Sequence, residues 1–142
     1  MLLGAAKTLS LIFSVVLITS AFSQALCPVD DVMVRGRVDH APRNTRVRVQ
    51  LMYSRDIPGE SGDVTFEDGR FSIPVEFLTQ IRRPVVGGML GKCGRSPKTV
   101  IVTLVDQDHE YDRITLDFAK DFKMTGSSGY IVRSEVVLDG SR

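Results

Sequence analysis

The sequence predicts an all-β protein, one domain folded as a two-sheet sandwich of about seven strands. Three observations predict it. Apolar residues recur at every second position in segment after segment, the period of a half-buried strand. Gly, Pro, Asn and Asp gather between those segments, where turns need positive φ or a fixed one. No stretch of the domain carries the 3.6-residue apolar period of an amphipathic helix.

The chain has 142 residues, which suffices for a single domain. Its first part reads differently from the rest. Lys7 is the only charge before Asp30, the run 9–18 (LSLIFSVVLI) is apolar, and small residues follow it. That is the charged, apolar and small-residue order of a secretory signal peptide, and the run is shorter than the ~20 residues a spanning helix needs. Residues 1–23 are therefore expected to be a leader, cleaved after Ser23 or after Ala25, and residues 24–142 the sandwich domain of a secreted, extracellular protein. In that compartment Cys27 and Cys93 are expected to form one disulfide. It would close a loop of roughly 65 residues, for which chain entropy gives about 4 kcal/mol.

Charge excludes some partners. Without the leader, basic and acidic residues balance, which argues against bulk attraction to nucleic acid or to anionic membranes. Basic residues outnumber acidic ones before Thr99, and the reverse holds after it. The sole asparagine, Asn44, is not in a glycosylation acceptor sequence.

Taken in order, 32–39 (VMVRGRVD) puts Val32, Val34, Gly36 and Val38 inward and Met33, Arg35, Arg37 and Asp39 outward. Segment 45–51 (TRVRVQL) repeats the device, with Arg46, Arg48 and Gln50 outward. His40 to Asn44 reads as the turn between them. Segment 54–62 (SRDIPGESG) reads as a polar loop and 63–66 as a short strand. Asp68-Gly69 is a hairpin signal, because both positions of a type I′ turn need positive φ. Strand 70–77 follows, with Phe71, Ile73, Val75 and Phe77 inward; Pro74 cannot donate to a ladder and marks an edge or a bulge. Residues 78–98 form the longest irregular segment, rich in Gly and Pro. Segment 99–105 (TVIVTLV) is apolar on both faces, as a central strand is. An acidic turn at 106–112, a strand at 113–118, a loop at 119–129, a closing strand at 130–138 and a frayed tail complete the reading.

The order Val34-Arg35-Gly36-Arg37-Val38, Val47-Arg48-Val49-Gln50-Leu51, then Thr65 to Ile73 (TFEDGRFSI) resembles the first half of the prealbumin-like sandwiches, the transthyretin-like and carboxypeptidase-regulatory-like group. The resemblance covers about 45 residues and implies a prealbumin- or Ig-like sandwich with a binding or accessory role. Hydroxyisourate hydrolase is the enzyme of that group. It needs several histidines and a C-terminal Tyr-Arg-Gly-Ser; this chain has only His40 and His109, and ends Leu138-Asp139-Gly140-Ser141-Arg142.

Four sets of residues are candidates for function. Arg35, Arg37, Arg46 and Arg48 are expected to share one outward face, with Arg37 beside Arg48, as an anion-binding patch or as a solvated face. Such a cluster requires an offset from an acidic neighbour, Glu135 or Asp139, or from an anionic ligand. Arg82, Arg83, Lys92 and Arg95 lie in the long segment and are expected to form a binding loop. Asp106, Asp108, Glu110 and Asp112 stand two apart around His109, but no glycine gives a tight cation loop, so an acidic turn without metal is expected. His40 and His109 lack a nucleophile with an identifiable base. No cofactor motif is present, and the methionines read as core filler. The sequence points to a small secreted binding protein without catalytic activity. It would be an effector, virulence or host-interaction factor that contacts an extracellular protein or an acidic glycan, with no stable membrane insertion. The alternatives are a transthyretin-related extracellular hydrolase and a structural matrix or cell-wall component.

Overall fold

The computed structural model describes residues 29–78, 96–107, 109–126 and 129–142. The expected leader, Cys27 and Cys93, and the basic residues Arg82, Arg83, Lys92 and Arg95 lie outside the described residues.

The described chain is an all-β sandwich of two sheets. The first is built on β1 (Val29–Asp39). Antiparallel to one flank of β1 runs β4 (Arg70–Leu78). Along the other flank run β8 (Gly129–Val132) and β9 (Val136–Asp139), both parallel to β1, with β7 (Phe122–Thr125) beyond β8. The second sheet has the order β3-β2-β5-β6, from β3 (Ile57–Val64), β2 (Arg46–Ser54), β5 (Thr99–Asp106) and β6 (His109–Asp117).

The two strongest alternating segments fold as the pattern dictates. In β1 every even residue from Asp30 to Val38 is buried and every odd one is at least partly exposed. In β2, Val47, Val49 and Leu51 are fully buried. Yet the two strands do not pair. His40 (φ 52°) and Asn44 (φ 60°) take left-handed backbone and carry the chain from one sheet to the other. The Asp68-Gly69 turn behaves likewise. Asp68 (φ 53°) and Gly69 (φ 72°) have the paired positive φ of a type I′ turn, and Arg70 N–H donates to the Glu67 carbonyl at 3.1 Å. Its flanking strands nevertheless belong to opposite sheets, so it is a crossing, not a hairpin.

The described residues hold nine strands, where about seven were expected. The segment read as a polar loop holds most of β3. Its glycines are thin spots: a Cβ on Gly59 would lie 2.3 Å from the Tyr53 ring, and one on Gly62 would meet Ile73 across the sandwich at 3.3 Å. As an edge strand, β3 tolerates Pro58 as well. The acidic turn is narrower than expected, since Asp106 already pairs with His109. The expected loop at 119–129 contains β7 and a one-turn helix, α1 (Phe118–Asp121), capped by Asp117, whose Oδ1 accepts from the Ala119 and Lys120 amides. The closing strand is broken at Arg133–Glu135 into β8 and β9, which follow one another along the same flank of β1. The tail is not frayed: Gly140 N–H donates to the Asp39 carbonyl at 2.9 Å and Ser141 N–H to Asp139 Oδ1 at 2.9 Å. Two further expectations hold: β4, with Pro74, is an edge strand, and β5 is central.

The core is a valine-rich layer between the sheets, with Val32, Val34, Val47, Val49, Leu51, Val100, Val102, Leu104 and Leu138 fully buried. Phe77, Phe118, Phe122 and Tyr130 cluster beside it; Phe118 lies 4.8 Å from Tyr130 and 5.6 Å from Phe122, centroid to centroid. Gly36 is the tightest point of the first sheet. A Cβ there would meet the Val136 carbonyl oxygen at 2.0 Å and Phe71 Cζ at 2.7 Å. Gly36→Ala should destabilise the fold by about 1–3 kcal/mol in urea unfolding, the cost of overpacking. Gly126→Ala meets nothing within 4 Å, and its cost should reflect only its φ of 61°.

Candidate functional site

The outward face of β1 and β4 concentrates charge in two separate places. Its geometry follows from two hydrogen bonds. Val38 N–H donates to the Gly69 carbonyl on the β4 side, and the Asp39 carbonyl accepts from Gly140 on the β9 side. Backbone groups alternate along a strand, so the even residues of β1 bond to β4 and the odd ones to β8 and β9. The odd residues thus stand opposite β4 in the narrow, non-hydrogen-bonded register, where side chains come closest. Those pairs are Asp31 with Glu76, Met33 with Pro74, Arg35 with Ser72 and Arg37 with Arg70. Pro74 therefore lacks its N–H on the open edge of β4, not in the ladder.

One end of this face is basic. Arg37 and Arg70 oppose each other and Arg35 precedes Arg37 by two residues. Arg37 lies 3.4 Å from Asp39 and 3.8 Å from Glu135, so one of the two acids expected to offset it does so. Asp139 instead faces His40. Among the described residues, Arg35 and Arg70 have no carboxylate within ion-pair distance. Arg70 was not among the expected site residues; it becomes one because β1 pairs with β4 and not with β2.

The other end is acidic. Asp31 and Glu76 are opposed like charges, about 20 Å along β1 from Arg37. Beside them a hollow of about 670 Å³ opens between the two sheet edges, lined by Asp30, Asp31, Pro74, Val75, Glu76 and, from β3, Glu60 and Ser61, with Val29 at its rim. Asp30 is 8% exposed. Burial, and then the Asp30 charge, raise the Tyr130 phenol above its ordinary value. Tyr53 donates its hydroxyl proton to Glu60. The sequence signal for this site is Asp30 itself, an acid standing in the inward apolar register of β1.

The expected four-arginine patch is not formed. Because 40–44 crosses between sheets, Arg35 and Arg37 face out of one sheet and Arg46 and Arg48 out of the other. The second pair converges on Asp63. Arg48 Nε donates to Oδ1 at 2.9 Å; Arg46 Nε stands 3.0 Å from Oδ2 but off-axis, so its contact is Coulombic without a hydrogen bond. The Arg48 hydrogen bond, more than the charges nearby, lowers the Asp63 carboxyl, and Asp63 in turn raises Arg48.

His40 meets groups the sequence reading did not connect to it. Its Nδ1 lies 3.3 Å from Asp139 Oδ1, the same oxygen that accepts from Ser141 Oγ at 2.7 Å. Those Ser141 bonds, together with His40, lower the Asp139 carboxyl to about 2. Here the carboxylate sits between serine and imidazole. A nucleophilic triad needs the imidazole in the middle to take the hydroxyl proton, so this trio ties the tail down. Asp139 N–H also donates to Asp112 Oδ2 at 2.8 Å. His109 packs edge-on against Tyr111 at 4.4 Å. In the acidic turn, Glu110 pairs with Arg113 at 2.8 Å and Asp108 lies outside the described residues. No three acidic, His or Cys groups among the described residues are placed to hold a metal ion.

Compared with known proteins, the chain matches no family model, no curated protein and no solved structure.

The Asp63 bridge makes a pH-dependent prediction. Its carboxyl is lowered in the folded state, so its contribution is present above the ordinary value near 3.8 and is lost as pH falls through the lowered one. Asp63→Asn should cost about 1 kcal/mol or less at neutral pH, as screened surface bridges do. The difference from the unsubstituted protein should shrink below about pH 3.8 in urea unfolding.

Proposed function

We propose that this is a small secreted binding protein that acts by contact rather than by catalysis, outside the cell that makes it, as an effector or host-interaction factor. Its anion-recognising surface is the Arg35–Arg37–Arg70 corner of the first sheet. The observation that carries the reading is the Arg37–Arg70 opposition in the narrow register. Like charges directly opposed destabilise a ladder, and the described carboxylates approach only Arg37. A guanidinium binds carboxylate or sulfate oxygens through two parallel N–H bonds. Arg35, Arg37 and Arg70 are all exposed, which suits a polymer touched along its length, so an acidic glycan is the partner class that fits. Kinship with the prealbumin-like sandwiches belongs to the same proposal, supported by the two-sheet architecture that family implies.

Heparin-affinity chromatography tests it. Arg35→Ser with Arg70→Ser should weaken retention about tenfold, as expected for two solvent-screened ion contacts of ~0.7 kcal/mol each. Arg46→Ser with Arg48→Ser, on the far face and already engaged by Asp63, should change it little. Equal loss in both double variants would reduce the effect to net charge and sink the proposal.

A further inference from the structure

We infer that the acidic hollow beside β4 is a second binding site, for the arginine or lysine side chains of a basic peptide segment. This stands apart from the anion-binding proposal and uses other residues.

Asp30 is the first argument. It occupies the inward register of β1, is 8% exposed, lines the hollow, and has no hydrogen bond or ion pair among the described residues. Its carboxylate oxygens are unpaired among the described residues, and a cation entering the hollow supplies a partner. The second argument is the Asp31–Glu76 pair, opposed in the narrow register with no basic group in ion-pair range among the described residues. Asp31 is hemmed in on its other side: a Cβ on Gly129 would come within 3.1 Å of its Oδ1. The opposite wall adds Glu60.

The distribution of these acids selects the ligand. A metal ion needs several carboxylate oxygens on one centre, and the described residues hold no such group. Separated carboxylates along an open hollow of about 670 Å³ match separated cations on flexible stems. The walls contributed by Val29, Pro74 and Val75 suit the methylene stems of arginine and lysine, which pack on apolar surface while the charged head reaches a carboxylate.

The test is fluorescence anisotropy of a labelled hexa-arginine peptide with the full chain. The unsubstituted protein should bind it in a salt-sensitive manner. Asp31→Asn with Glu76→Gln should weaken binding at least ~tenfold, and Asp30→Asn should weaken it too without lowering the melting temperature, because no partner is lost. Asp56→Asn with Glu67→Gln, exposed acids outside the hollow, serves as the charge control and should bind as the unsubstituted protein does. Loss of binding in that control to the same degree, or unchanged binding in Asp31→Asn with Glu76→Gln, would overturn the inference. So would spermine displacing the peptide at equal charge concentration, which would make a free polyamine the ligand. A dimer in sedimentation that dissolves on Glu76→Gln would likewise overturn it, making the occupant the arginine corner of a second copy.

Discussion

β1 is paired on both flanks, and the first sheet is built around that double pairing. On one side β4 runs antiparallel over nine paired positions, from Val29–Leu78 to Arg37–Arg70. On the other, β8 and β9 take successive parallel registers. The second closure depends on Gly36, where the Val136 backbone and the Phe71 ring occupy the space a side chain would need. A glycine inside a strand costs conformational entropy. Here it lets the last strand approach the first, and the valine core between the sheets depends on that approach. Leu138, on the strand so admitted, is fully buried.

What the sequence made legible is what period two determines. The inward valines of β1 and β2, the double-faced burial of β5 and the edge position of β4 all follow from side-chain alternation or from the missing N–H of Pro74. Turn chemistry was legible in part. The Asp68-Gly69 and 40–44 segments adopt the positive φ their residues favour, but φ at two or three positions does not say whether the next strand pairs with the previous one or crosses to the other sheet. That ambiguity is why the sequence places Arg37 beside Arg48, whereas β1 and β2 lie in different sheets. β3 was hidden for another reason: Pro58, Gly59 and Gly62 read as breakers, whereas an edge strand accepts all three and the glycines admit the Tyr53 ring and Ile73.

The candidate site was half legible for the same reason. Which arginines point outward is an alternation question, and Arg35, Arg37, Arg46 and Arg48 do point outward. Which of them meet is a topology question, and topology sorted them into different company. Arg46 and Arg48 are held by Asp63, while Arg37 faces Arg70. The acidic end needed both steps. Asp31 and Glu76 are 45 residues apart and become neighbours only through the β1–β4 register.

The overall charge of the protein is close to neutral, and this says little about what its first sheet presents. Asp31 and Arg37 are six residues apart on one strand, about 20 Å. The screening length at physiological salt is about 8 Å. Over that distance the two ends do not neutralise one another. The middle of the face, Met33 opposite Pro74, carries no charge to bridge them. A ligand at either end therefore meets the local field of two or three like charges, not the balanced sum of the molecule. The sorting of acids to one end of the β1–β4 face and arginines to the other would let two chemically opposite contacts coexist on one small sandwich.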